Sequence, residues 1–331
     1  MRAAFIEHTG PPDVIRVGEM PRPEVGPGRV LVRVKAAGIN PIDLYLRSGL
    51  VAMPIPLPYV VGCDLAGSVE EVGDGVTGFA VGDRVWASNQ GLLGRQGATA
   101  EYASVESHWL HKTPANVGDI EAAAVALTGI TAHLGLFRLA HLAERETVYV
   151  PGGTGGVGSL VLQMAQAPGA RVATSAGSPD RMELCRTLGA DLALNYRSDD
   201  IPTRLKAFAP GGIDVWFETQ REANLEVAIP LLKMRGRMIL IAGRQAKPAL
   251  PLGSFYPRDC SLLGFAMFNA SPEEQAPSGR EMNAWMAEGR LIPQVGRTFP
   301  LADAAQAHRF LEENALQGAG TLTGKVVVTL D

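Results

Sequence analysis

The residues best suited to chemistry form a glycine-rich segment between an apolar run and a helical pattern. Residues 148–159 read Val-Tyr-Val-Pro-Gly-Gly-Thr-Gly-Gly-Val-Gly-Ser. Gly153, Gly155 and Gly158 match G-x-G-x-x-G, whose glycines permit a tight turn, close approach of a pyrophosphate and close helix–strand packing, in that order. The helix N-terminus that follows attracts phosphate. A glycine-rich loop without a ligand is the alternative. The prediction is dinucleotide binding by Gly153, Thr154, Gly155, Gly156, Val157 and Gly158.

The end of the next predicted strand selects the cofactor. NAD-specific sites usually carry Asp or Glu there, about 20 residues after the glycines, to bind the ribose 2′-hydroxyl. This chain has Ala176, Gly177, Ser178, Pro179, Asp180 and Arg181 in order, so the strand end carries no acid to repel a 2′-phosphate. Ser178 and Arg181 can bind such a phosphate, but they also fit a helix N-cap and a solvated helix charge. The prediction is NADP(H), bound by Gly177, Ser178 and Arg181.

The composition limits the classes of function. The chain has 331 residues and a net charge of −4, which argues against binding nucleic acid or an anionic membrane. No apolar run approaches about 18 residues, so no transmembrane helix is expected. The N-terminus turns polar too soon for a secretory signal. Cys63, Cys185 and Cys260 are scattered, which is typical of a reducing, cytoplasmic compartment.

The hydrophobic pattern predicts an α/β protein with two kinds of sheet. Residues 1–115 read mostly as strands, among them 14–17, with one helix at 41–47. Residues 120–140 read as two helices broken near Thr128-Gly129. Strands and helices alternate from 147 to 242, which implies a doubly wound parallel sheet. Helices at 272–289 and 302–314 precede a last strand at 325–330.

Six segments carry the motif pattern of a known family: 38–45, 62–67, 82–85, 127–132, 152–158 and 323–325. On these motifs the chain resembles the zinc-free quinone oxidoreductase (zeta-crystallin-like) group of the medium-chain dehydrogenase/reductase superfamily. The resemblance implies a GroES-like catalytic domain at 1–123, completed by 265–331. It also implies a Rossmann NADP-binding domain at 124–264, with the active site in the cleft between the two domains.

The same resemblance locates the place where zinc-dependent members hold their catalytic metal. Asn40 matches the first ligand, and Cys63-Asp64 matches the His-Glu of a later segment; Asn is a poor zinc ligand. Residues 88–115 contain no Cys, so the structural zinc lobe is absent. Cys63 with Asp64 could in principle hold a metal, but a buried, inert Cys63 is expected. No metal is therefore predicted, and reduction of an electrophilic acceptor is favoured over oxidation of a plain alcohol.

The resemblance also assigns catalytic residues. Asn40 and Tyr45 would polarise the acceptor oxygen as hydrogen-bond donors, and Asp43 would hold the loop or the cofactor hydroxyls. The alternatives are a turn residue for Asn40 and a packed aromatic for Tyr45. Val51 stands where relatives often carry a second Tyr, which implies a more apolar pocket. Further cofactor contacts implied by position are Thr128, Thr131, Tyr196, Gly243, Arg244, Phe265, Met267 and Lys325.

These expectations favour NADPH-dependent reduction of a quinone or enone. One alternative is an enoyl- or acrylyl-type reductase acting on an unsaturated acid or thioester, with Arg47 and Arg95 as candidate contacts. A less favoured alternative is a non-catalytic NADPH-binding protein. The apolar run at 262–268 predicts a homodimer formed through an exposed sheet edge.

Overall fold

The computed structural model describes residues 1–330 of the chain. The chain forms two compact units, Met1–Thr128 with Ser271–Asp331 and Gly129–Ala270. The strands, in chain order, are β1 Arg2–Ile6, β2 Arg16–Glu19, β3 Arg29–Ile39, β4 Tyr59–Val60, β5 Leu65–Val72, β6 Arg84–Ala87, β7 Tyr102–Glu106, β8 Leu110–Lys112, β9 Thr147–Pro151, β10 Arg171–Ala176, β11 Leu192–Asn195, β12 Ile213–Glu218, β13 Leu232–Leu240, β14 Ser261–Gly264, β15 Val295–Pro300 and β16 Lys325–Thr329.

The helices lie between these strands. They are α1 Pro41–Ser48, α2 Asp119–His133, α3 Gly158–Ala165, α4 Pro179–Thr187, α5 Ile201–Phe208, α6 Leu225–Leu231, α7 Leu252–Phe255, α8 Pro272–Ala287 and α9 Ala304–Ala315.

The first unit is built on a mixed sheet in the order β15-β16-β3-β5-β6-β8, and β7 also pairs with β3. A smaller sheet has the order β2-β1-β4. Alternate buried residues of β3, β5 and β16 contribute to the apolar core of the first unit. Strand β16 pairs antiparallel with β3, with Val326 opposite Ile39. This register brings the start of the last strand beside the residue that precedes α1.

The second unit is a six-stranded parallel sheet in the order β11-β10-β9-β12-β13-β14. Renumbered from β9, this is the order 3-2-1-4-5-6 of the dinucleotide-binding fold, whose ligands bind beyond the carboxyl ends of the strands at the reversal of order. The reversal lies between β9 and β12. The predicted α/β class with a GroES-like and a Rossmann part is confirmed.

Two predicted elements are wrong. The break expected near Thr128-Gly129 is absent: α2 continues to His133 and passes into a π-helical turn at Leu134–Leu139. The Thr128 hydroxyl donates to the Ala124 carbonyl 3.0 Å away within the helix, so it does not compete with the helical backbone. The strand expected at 14–17 begins only at Arg16, because Pro11 and Pro12 start a 3₁₀ turn.

The segment Asp119–Leu139 also corrects the expectation about apolar runs. Its mean hydropathy is 1.5, so by length and composition it is long and apolar enough to cross a membrane. However, 78% of that window is buried inside the protein. This burial is typical of a core helix, which needs the same composition as a membrane span.

Candidate functional site

The glycine-rich turn joins β9 to α3 and takes its shape from close contacts that only glycine permits. A Cβ on Gly158 would lie 2.3 Å from the Gly152 carbonyl oxygen, and one on Gly153 would lie 2.3 Å from Thr174 Oγ1. The left-handed backbone is at Gly152, with φ of 72°. The prediction that Gly153 makes the tight turn is wrong, because Gly153 is instead required for packing against β10. The packing role of Gly158 agrees with the geometry.

The turn leaves backbone donors free at the start of α3. Gly155 N–H donates to the Gly152 carbonyl, and Ser159 N–H donates to that of Gly155. Among the described residues, no backbone hydrogen bond uses the N–H groups of Gly156 or Val157. These donors lie at the positive end of a helix dipole, which is the arrangement that binds phosphate. The cofactor that the fold implies therefore fits this turn.

The adjacent carboxyl ends of β10 and β11 form a second part of this region. A Cβ on Gly177 would lie 2.3 Å from the Tyr196 hydroxyl, so the ring packs over this glycine. The Tyr196 side chain is 53% exposed, and the Arg197 guanidinium carbon lies 5.9 Å from its ring centroid. Ser178 Oγ accepts the Arg181 backbone N–H at 3.4 Å, so the predicted N-cap role is present.

The remaining cofactor candidates of the second unit lie in helix α2, in a short 3₁₀ turn and in loops. Gly243 has φ of 90°, and Arg244 after it is exposed. Phe265 is half-buried, while Met267 and Thr131 are buried. The structure therefore brings together the residues of the turn and those around Gly177. It leaves the roles of the other candidates as predictions.

Sequence reasoning missed a contact at the end of β12. Gln220 Nε2 lies 2.8 Å from the position that a Cβ on Gly152 would occupy. The buried Glu218 carboxyl holds this segment by accepting the Gln220 backbone N–H at 2.7 Å and Trp216 Nε1 at 3.1 Å. The available signal was that β12 must adjoin β9 at the reversal of strand order, so its last residues must flank the turn.

In the first unit, a buried amide is held between a cation and a carboxylate. Asn40 Nδ2 donates to Asp64 Oδ2 at 2.8 Å, while Lys325 Nζ donates to Asn40 Oδ1 at 2.5 Å and to the Ile39 carbonyl at 2.8 Å. Lys325 Nζ lies 3.7 Å from Asp64 Oδ2. Asn40 and Asp64 are fully buried, and Lys325 is 6% exposed. Neither end of the Asn40 amide is free of partners.

A second carboxyl completes this cluster. Asp43 Oδ2 accepts the Asn40 backbone N–H at 2.7 Å at the start of α1, and Asp43 Oδ1 accepts the Cys63 thiol at 2.7 Å. Burial, and less strongly the charge of Asp64, raises the pKa of Asp43 to about 7. Burial and the Asp43 carboxyl also raise the pKa of Cys63, so that it remains a thiol. We refer to Asn40, Asp43, Cys63, Asp64 and Lys325 as the amide–ammonium cluster.

The other polar candidates of this unit differ in accessibility. The half-buried Tyr45 uses its carbonyl to accept Ser48 Oγ and the Val51 N–H. Arg47 is buried and paired with Glu312, so it is not available to bind a substrate carboxylate. Arg95 Nε donates to a backbone carbonyl 2.8 Å away. Thr128 is bonded within α2, and its cofactor contact stays a prediction, as do those of Lys325 and Arg181.

Comparison with known proteins identifies relatives over the whole chain. Residues 26–115 match the Alcohol dehydrogenase GroES-like domain, and residues 156–283 match the family described as Zinc-binding dehydrogenase. The quinone oxidoreductase of Homo sapiens is 32% identical over 332 residues, covering 100% of this chain and 98% of that protein. The Arabidopsis thaliana protein named NADPH-dependent alkenal/one oxidoreductase, chloroplastic, is 32% identical over 99% of this chain and 79% of its own length.

A solved structure agrees with these sequence matches. The quinone oxidoreductase of Escherichia coli, complexed with NADPH, has a TM-score of 0.85 and 26% identity, covering 99% of this chain and 100% of that one. The resemblance inferred from the sequence motifs is thus confirmed.

Zinc, which one matched family description implies, does not fit the residues of this chain. Within residues 1–330, no group of three or more His, Cys, Asp or Glu side chains is arranged to hold a metal ion. Asn40 Oδ1 already accepts an ammonium, and Cys63 is a thiol that donates to Asp43. A metal ion here would meet the resident positive charge of Lys325, and the neutral amide of Asn40 is a poor zinc ligand.

Proposed function

Because the chain belongs to the quinone oxidoreductase family of the medium-chain dehydrogenase/reductase superfamily, we propose that it reduces a quinone or an activated alkene with NADPH and without zinc. Its assignment as an oxidoreductase follows from that membership. The amide–ammonium cluster is the observation that carries the finer proposal. The positions that the family resemblance assigns to zinc ligands here hold an amide, a thiol and a carboxylate beside an ammonium, which favours an acceptor that is electrophilic without a Lewis acid.

The glycine-rich turn and the region around Gly177 support the choice of NADPH. When bound, this cofactor supplies a hydride. The free N–H groups of Gly156 and Val157 would hold its pyrophosphate. The end of β10 carries no acidic side chain, so nothing there would repel its 2′-phosphate. Arg181 would contribute a charged fork beside Ser178, whose hydroxyl oxygen caps α4.

Tyr45 is the residue that we propose as the donor to the acceptor oxygen. Its half-buried phenol can donate a hydrogen bond to the negative charge that develops on a quinone or enone carbonyl. Asn40 would contribute indirectly, because its side chain is fully buried and Asp64 and Lys325 occupy both ends of its amide. A homodimer formed through the edge strand β14, and a cytoplasmic location, belong to the same proposal.

A panel of acceptors tests this function. Purified protein, treated with chelator and checked for zinc by elemental analysis, is assayed with NADPH or NADH against simple quinones, enones, unsaturated thioesters and plain aldehydes. We expect NADPH-dependent turnover of quinones or enones that chelation does not change. Stoichiometric zinc lost together with activity, or turnover of aldehydes alone, would contradict the proposal. Turnover of unsaturated thioesters alone would favour the enoyl-type alternative.

A further inference from the structure

Two buried side chains of the first unit, Arg47 and His308, carry hydrogen-bonding nitrogens that no other protein group satisfies in the described part of the chain, residues 1–330. We propose that these two side chains enclose a binding site for internal water, which joins α1 to α9 through hydrogen bonds to both. The proposal does not rest on the proposed function, because the site lies in the core of the first unit and every measurement that tests it is made without turnover.

The two side chains meet where α1 packs against α9. Arg47 lies in the last turn of α1, and its Nη2 donates to the Glu312 carboxylate of α9. His308 and Glu312 are four residues apart on α9, so they share one face of that helix. The charge of Arg47 acts on the His308 ring, which agrees with this placement. The imidazole therefore lies beside the guanidinium, one helical turn from its carboxylate partner.

The unpartnered atoms are deeply buried. They are Arg47 Nε and Nη1 and both ring nitrogens of His308, and the two side chains are 1% and 0% exposed. Leu44, one turn before Arg47, and Ala304 and Leu311, one turn on either side of His308, belong to the apolar core of the unit. Leaving charged donors unpaired in such surroundings is costly. A small polar ligand that bonds these nitrogens removes that cost.

The chemistry of the two side chains selects water over an anion. Burial, and less strongly the charge of Arg47, lowers the pKa of His308 to about 3, so at pH 7 its neutral ring has one donor and one acceptor nitrogen. The guanidinium has only donors. The ligand must therefore accept from Arg47 and donate to His308, as water does. A halide only accepts, and it would add negative charge beside a guanidinium that Glu312 already neutralises.

The surrounding chain also limits the size of the ligand. The Gly10 N–H donates to the Arg47 carbonyl at 2.9 Å, and a Cβ on Gly49 would lie 3.1 Å from Thr9 Oγ1. Residues 9 and 10 therefore cover the end of α1, and the ligand must be small enough to be enclosed. Buried waters of this kind satisfy polar groups that the protein itself leaves unpaired. Arg47, a candidate contact for a substrate carboxylate in the sequence analysis, would thus have a structural role.

Crystallography of the parent protein tests the identity of the ligand. Crystals are grown with bromide in place of chloride, and anomalous data are collected at the bromine edge. We expect a density peak roughly 2.7–3.2 Å from an Arg47 nitrogen and from a His308 ring nitrogen, without anomalous signal. An anomalous peak there would replace water by an anion and overturn the proposal. A direct hydrogen bond between Arg47 and His308, with no peak between them, would overturn it as well.

A double-mutant cycle tests the coupling in solution. His308→Leu cannot bind the water and leaves the Arg47 donors unpaired, so we expect it to lower the urea midpoint. Arg47→Met keeps the length of the stem without the donors. In the double variant both groups are apolar like their neighbours, so we expect it to lose clearly less stability than the two single variants together. Losses that simply add would overturn the water-mediated link.

His111→Leu is the matched control for this cycle. This half-buried histidine of the same unit packs its ring 4.4 Å from that of Trp86 rather than beside Arg47. Its effect should therefore add to that of Arg47→Met.

Magnetic relaxation dispersion of ¹⁷O counts long-lived internal waters in solution. We expect the parent to hold at least one more such water than the Arg47→Met/His308→Leu double variant, and the His111→Leu control to keep the parent's number. An equal number in the parent and the double variant would overturn the site.

Discussion

The amide–ammonium cluster and the glycine-rich turn handle charge in opposite ways. In the cluster, the cation and both carboxyls are side chains, and the charged groups are buried against one another. In the turn, the backbone N–H groups of Gly156 and Val157 carry partial positive charge that no backbone acceptor within residues 1–330 neutralises. A region that supplies its own counter-ion has no need of an ionic ligand, whereas the other region is completed by one.

The largest effect on ligand binding is expected where the turn is tightest. Gly158→Val would place a branched side chain against the Gly152 carbonyl, which lies 2.3 Å from the first added carbon. The N–H groups of Gly156 and Val157 would be displaced and would lose their charge-assisted hydrogen bonds to the cofactor's pyrophosphate. We therefore expect the Kd of NADPH, measured by fluorescence titration, to rise about a hundredfold or more. Gly211→Ala is the control, because nothing lies within 4 Å of its added carbon. Unchanged affinity in Gly158→Val would remove the turn from the cofactor site.

Tyr45→Phe tests the hydrogen-bond donor that we propose for the first unit. A donor aimed at developing negative charge in a dry site stabilises the transition state by about 2–4 kcal/mol. We expect that loss in kcat/KM for a poorly electrophilic enone, and a smaller one for a quinone, whose ring spreads the charge. The Kd of NADPH should not change. Steady-state kinetics on both acceptors checks this, and equal kcat/KM in parent and variant would exclude Tyr45.

Arg181→Glu tests whether the second unit selects its ligand by charge. A hydrogen bond to a charged group contributes about 1.5–3 kcal/mol, so we expect the affinity for NADPH to fall roughly tenfold to a hundredfold and that for NADH to be preserved. Calorimetric titration with both cofactors measures the preference. If neither dissociation constant moves, Arg181 does not bind the 2′-phosphate, and Tyr196 and Arg197 become the next candidates.

The last effect acts on folding stability and concerns the pH dependence of the first unit. Burial raises the pKa of Asp43 from 3.8 to about 7, so between these values the folded protein holds a proton that the unfolded chain releases. The free energy of unfolding should therefore fall as pH rises from about 4 to 7, by about 1.4 kcal/mol per pH unit from this group. The free energy of unfolding is measured with urea at several pH values for the parent and for Asp43→Asn. It should fall with pH more steeply in the parent, by that slope. Parallel pH profiles would contradict it.

The two regions also differ in how far sequence alone could describe them. The turn is contiguous in sequence, so glycine spacing and the flanking strand and helix located it, although the left-handed residue proved to be Gly152. The cluster joins Asn40, Asp64 and Lys325, which are far apart along the chain. Each of them lies in a sequence motif of the family, but only the pairing of β16 with β3 showed that Lys325 contacts Asn40. Burial and side-chain partners of this kind depend on tertiary packing, which local patterns do not encode.

The position of Lys325 on β16 has a consequence for the order in which the protein can mature. Strand β16 follows the entire second unit along the chain, so a ribosome makes Asp64 long before the lysine that compensates it. Until then, β3 has an unpaired edge where β16 will lie, and the Asp64 carboxylate has no cationic partner from that strand. Contacts of such long sequence separation form late and slow folding. The nascent first unit therefore cannot close around Asp64 before synthesis has passed residue 325, which makes completion of this cluster a late step in the biogenesis of the enzyme.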